Sequence, residues 1–180
     1  MKHYILSFLL LSGTVFGYAS DRWTIQEDGA LLWKIDNRLP HSDHIEMSGQ
    51  KMSVVLRYGV DASAAFSLNR SLVFPLLRMK PNKTQDNLKQ RFDVNIPGMV
   101  TVNDLTLTDE QVEWVTLNGM MEVESSFSTV YRREKVPHAV SLHRKMCPSP
   151  EEAYYVEEYT FTNNTPRNIR LRVPALDIRY

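Results

Sequence analysis

The segment His41-Ser42-Asp43-His44-Ile45-Glu46 follows Pro40 and puts two imidazoles and two carboxylates into six residues. Imidazole nitrogen and carboxylate oxygen are donors that zinc and related metals take, and the same groups carry protons in catalysis. The spacing matches no standard metal motif. In an extended chain His44 and Glu46 share one face with Ser42, and His41 shares the other with Asp43, so four convergent ligands need a tight loop. The residues leave three uses open: a hydrogen-bonded solvent loop, a substrate-contacting loop and a metal site. The loop is carried forward as a candidate substrate contact, with no metal and no cofactor assigned.

Other groups are weighed the same way. Arg57, Arg70 and Arg78 offer forked guanidinium donors for a carboxylate or a sugar hydroxyl, or for tying neighbouring loops together; the structural tie is the preferred reading. Glu122 with Glu124, Glu151 with Glu152 and Glu157 with Glu158 invite the acid and base pair of a glycosidase, yet nothing around them singles out one pair, so solvated strand faces are expected. Trp23, Trp33 and Trp114 could stack on sugar rings, but alternation places them inward, as core. Tyr154, Tyr155 and Tyr159 read as core or cross-strand pairs. A Gly-x-Ser-x-Gly elbow, a glycine-rich phosphate loop and a CxxC pair are all missing from the sequence.

The elements that would position these groups have a period of two. Trp23 and Ile25, then Leu31, Trp33 and Ile35, flank Asp28-Gly29, which reads as a tight hairpin. Met52, Val54, Leu56 and Tyr58 alternate, as do Phe66 and Leu68, before Pro75 interrupts any ladder. Arg91–Val94 and Met99–Val102 read as two short strands around Asn95-Ile96-Pro97-Gly98. Asn118-Gly119 is a strong hairpin turn between Leu117 and Met121. Tyr155, Glu157, Tyr159 and Phe161 share a face, Asn163–Pro166 turns the chain, and Ile169, Leu171 and Val173 read as the returning strand of a hairpin. Only 84–90 and 108–112 could form helical turns. The expectation is all-β: an antiparallel β-sandwich, without the crossover helices that a parallel sheet requires.

Composition agrees with a globular chain. The 180 residues carry 21 Lys plus Arg against 21 Asp plus Glu, with 43% hydrophobic residues and one Cys. Disordered, collagen-like and disulfide-scaffold classes are thereby excluded, and zero formal net charge removes the field of a nucleic-acid binder. Lys2 and His3, the apolar run Tyr4–Leu11 and the small residues around Gly17-Tyr18-Ala19 have the form of a signal peptide, residues 1–20, cleaved after Ala19 or Ser20. No later stretch approaches the ~20 uncharged residues of a membrane helix, so no stable span is expected once the leader is removed. Export with a lone Cys147 allows no intrachain disulfide and suits a bacterial periplasm or cell surface.

One resemblance extends this. Asp21–Ile25 through Asp28-Gly29, then Trp33–Gly49, together with Ser67–Ser71, Phe74-Pro75 and Arg78, and later Glu158–Thr165, resemble the start of secreted bacterial glycoside hydrolases of the six-hairpin type, α-L-rhamnosidase-like and related. The resemblance implies that residues 21–180 form a β-supersandwich whose partner is a catalytic (α/α)6 barrel. It places the general acid and base on that barrel. The chain ends at Tyr180 without a run of amphipathic helices, so no catalytic residue carries over. What does carry over is a loop at the rim of the sugar pocket, matched by His41, Asp43, His44 and Glu46, with Arg57 and Arg78 as further candidates. The expected role is a non-catalytic module or fragment of an exported polysaccharide-degrading hydrolase. The alternatives are a free-standing carbohydrate-binding module and a complete small enzyme.

Overall fold

Glycine turns and alternating apolar residues build antiparallel strands along a computed structural model that describes residues 22–35, 40–74, 89–92 and 95–175. The expected leader, Pro75, Arg78 and residues 84–88 lie outside them. In order come β1 (Thr24–Ile25), β2 (Leu31–Lys34), β3 (His41–Ser48), β4 (Ser53–Val60), β5 (Phe66–Val73), β6 (Lys89–Phe92), α1 (Ile96–Met99), β7 (Thr101–Val102), β8 (Leu105–Thr106), β9 (Thr108–Leu117), β10 (Met121–Tyr131), β11 (Glu134–Pro148), β12 (Tyr155–Asn163) and β13 (Leu171–Arg172). They form a large sheet ordered β1-β2-β9-β10-β11-β12, a second ordered β3-β4-β5-β6 and a third ordered β13-β7-β8. Every pairing is antiparallel, and the fold is an all-β antiparallel sandwich.

Both predicted tight turns form. Gly29 (φ 85°) and Gly119 (φ 72°) supply the left-handed backbone that a side chain would resist. The Asp28 carboxylate accepts from the Ala30 amide at 3.0 Å, and the Asn118 amide donates to the Met120 carbonyl at 3.0 Å.

Two local readings are corrected and one is shifted along the chain. Residues 108–112 open β9 instead of forming a helical turn, because their partners on β10 hold them extended. Short strands do flank Asn95–Gly98, but at Lys89–Phe92 and Thr101–Val102: β6 joins β5, β7 joins β8 and β13, and a single helical turn whose cap, Asn95, accepts from the Gly98 amide intervenes. Likewise, the chain after Asn163–Pro166 does not return along β12. Asn103 captures it instead, since its side chain accepts from the Arg170 amide at 3.0 Å and its own amide donates to the Arg170 carbonyl at 2.9 Å, so β13 joins β7.

The inner face of the large sheet is covered in two parts. Against β3–β5, Trp33, Met47, Val54, Leu56, Tyr58, Val60, Val112, Val115, Met121, Val123 and Met146 form one core. Against β7, Val100, Val102, Leu107, Phe127, Ala139, Val140 and Leu142 form another. A bulge on β9 decides which side chains reach the first core. Glu124 faces Trp114 and Ser125 faces Val112, which leaves Glu113 as the extra residue. Val112 and Val115 therefore both point inward, and Trp114 turns to the outer face, against the expectation that it is core.

Candidate functional site

The His41–Glu46 segment is a strand, not a loop. β3 pairs residue for residue with β4 from His41↔Val60 to Ser48↔Ser53, and the pleat sends its polar groups to opposite faces. His44, Glu46 and their neighbour Arg57 lie exposed on the outer face, with His44 registered against Arg57. His41 and Asp43 lie on the inner side, where His41 meets the edge of Trp33 at 5.0 Å, bonds Arg22 through Nδ1 and keeps Nε2 3.8 Å from Asp43. Burial, then the Arg22 charge, lower the His41 pKa, with Asp43 opposing. The six candidates are thus divided: three on one face, two on the other, and Arg78 outside the described residues. Among the described residues no group of three or more His, Cys, Asp and Glu is placed to hold a metal.

The outer face of the large sheet assembles a group that sequence spacing only half exposed. Glu122 and Glu124 on β10 flank His143 on β11, accepting or sharing protons with Nε2 at 2.8 Å and Nδ1 at 2.9 Å. Trp114 lies 5.5 Å from the imidazole, centroid to centroid. Further along, the Ser126 hydroxyl sits 2.9 Å from Glu113 and 2.7 Å from Nδ1 of His138. The carboxylate stays 3.9 Å from that same nitrogen, so it orients the hydroxyl and not the far side of the ring, and this is not a nucleophile relay.

Between the two cores runs a polar seam. From the large sheet come Glu110 (β9), Ser125 (β10), Arg144 (β11), Glu157 and Tyr159 (β12); from the facing sheet comes Arg70 (β5). Arg70 holds Glu157 in a two-pronged pair, Nε to Oε1 and Nη2 to Oε2 at 3.0 Å, and also donates to the Tyr159 hydroxyl at 3.2 Å and the Leu68 carbonyl at 3.3 Å. Burial alone would lower the Arg70 pKa, but Glu157 outweighs it and raises it. Burial first, then the Glu157 charge, push the Tyr155 and Tyr159 phenols up, so both stay protonated. Arg144 donates through Nη2 to Glu110, which also accepts from Ser125 at 2.9 Å.

Arg70 and Glu157 stood out in sequence; Arg144, Glu110 and His143 did not. The available signal for Arg144 was its interruption of Val140, Leu142 and Met146, a charge at an inward position of an alternating strand. No protein-family model, curated protein or solved structure matches the chain.

Proposed function

We propose that the chain is a non-catalytic β-sandwich module of an exported polysaccharide-degrading hydrolase, seated against an (α/α)6 catalytic domain. The observation that carries this reading is an incompletely covered apolar groove. Beyond the seam, the inner face of β12 and the edge of β13 wall a space of about 730 Å3 with Ile96, Tyr155, Phe161, Leu171 and Val173. Leu171 and Val173 remain 36% and 55% exposed there. An apolar surface of this kind on a folded sandwich suits a second domain better than water. The seam and outer-face carboxylates also support a supporting role: Glu110, Glu157, Glu122 and Glu124 are each engaged by a cation or an imidazole instead of facing one another across a cleft as an acid and a base would.

The test pairs two measurements. Purified chain is expected to leave polysaccharides and aryl glycosides uncleaved, and to bind a six-hairpin catalytic domain supplied in trans. Leu171→Asp with Val173→Asp should weaken that binding by roughly tenfold or more. Turnover by the chain alone, or association indifferent to both substitutions, overturns the reading.

A free-standing carbohydrate-binding module is the second reading. Trp114 favours it, because the bulge at Glu113 presents this indole on the outer face beside His143, where a sugar ring could stack. Quenching of Trp fluorescence by oligosaccharides, lost in Trp114→Ala, would select it.

A further inference from the structure

The seam contains a cavity that neither reading above uses. It has a volume of about 240 Å3 and lies between Phe66–Asn69 of β5, Asn95 and Pro97 of the α1 turn, and Glu110 with Arg144 on the large sheet. β6 ends opposite Arg70, and no described strand pairs with Phe66–Asn69 on that side. Its charged lining is two guanidinium groups against one carboxylate, because Glu157, the partner of Arg70, lines the groove on the other side. Arg70 is fully engaged there. Arg144 is not: its side chain is only 3% exposed, its side-chain hydrogen bond runs from Nη2 to Glu110, and Nε has no acceptor. A buried cationic donor without an acceptor is destabilising, and a planar N–H group of this kind is satisfied best by a carboxylate.

We infer that this cavity binds a carboxylate-bearing ligand about the size of one sugar ring, of the uronate type, with the carboxylate on Arg144. The remaining lining fits that class. The Phe66 ring stands 5.6 Å from the Arg144 guanidinium and offers an apolar wall for the C–H face of a pyranose. Asn95 is exposed at the rim, with an amide that can meet a ring hydroxyl. The volume admits one ring and not an extended oligosaccharide. The assignment stands independently of whether the chain docks on a helical domain.

Titration of the full chain with D-glucuronate and D-galacturonate, followed by amide chemical shifts and calorimetry, tests it, with D-glucose as the uncharged ring and inorganic phosphate as a non-planar anion. The expected result is saturable one-to-one binding of a uronate, no binding of glucose, and weakening with added salt. Arg144→Lys, which keeps the charge but removes the planar donor edge, should weaken binding by roughly tenfold or more. If that variant loses its fold, Asn95→Asp decides alone: a carboxylate at the exposed rim, which still caps α1, should weaken uronate binding severalfold while leaving the melting temperature unchanged. Equal binding of glucose and uronate, tighter binding of phosphate, or wild-type affinity in Asn95→Asp overturns the inference.

Discussion

Arg70 and Glu157 are 4% and 10% exposed, so their pair bridges the two sheets where water screens it little. Removing one partner leaves the other charge buried and unmatched. Arg70→Met is therefore expected to cost about 3–5 kcal/mol by urea denaturation, while Arg70→Met with Glu157→Met should cost distinctly less, since the desolvation of both charges disappears together. If the double variant is as unstable as the single one, the pair holds the fold by shape and not by charge. His41 gives a pH signature. Its pKa is lowered in the folded protein from 6.5, so the unfolded chain takes up the proton first as pH falls. Its contribution is absent above the unfolded value and turns destabilising as pH drops from 6.5 towards the folded value. His41→Gln should flatten the loss of stability in that window without changing stability at neutral pH in the same proportion, as denaturant midpoints across pH would show.

Among the elements, the β3–β4 hairpin is fixed by a close approach. A Cβ at Gly49 would lie 2.1 Å from the Ser149 carbonyl oxygen, and the adjacent Gln50 amide donates to the Pro150 carbonyl at 2.8 Å. Backbone cannot yield as a side-chain tip does. Gly49→Ala is expected to cost about 1–3 kcal/mol and to loosen the 149–152 turn, which amide exchange would report. The β9 bulge makes a complementary case. Deleting Glu113 makes Val112, Trp114 and Val115 alternate strictly and keeps Trp114 on the outer face, so its fluorescence maximum should stay where it is, whereas an inward Trp114 would shift it to the blue.

For the whole molecule, two apolar cores share one sheet across a polar seam. Leu56 and Leu142 are fully buried, one in each core. Truncation of either to Ala is expected to cost about 2–5 kcal/mol. If the continuous strands β9–β11 couple the two cores, both variants will unfold in a single transition when followed by Trp fluorescence and by far-ultraviolet dichroism; separate transitions would show that the seam divides the molecule into independent units.

What the sequence determined was local: the alternation of Leu31, Trp33, Val54 and Leu56, the positive-φ turns at Gly29 and Gly119, and hence an antiparallel all-β chain. Even the inward face shared by Tyr155, Glu157, Tyr159 and Phe161 was legible, because strand alternation is a property of neighbours. Partners were not. The tertiary structure alone decided that β13 leaves β12 for β7, that one bulge exposes Trp114, and that Arg144 and Arg70 meet in one cavity from facing sheets. Residues 34 to 87 positions apart come together through pairing and packing energies summed over the whole fold, and no local period records those.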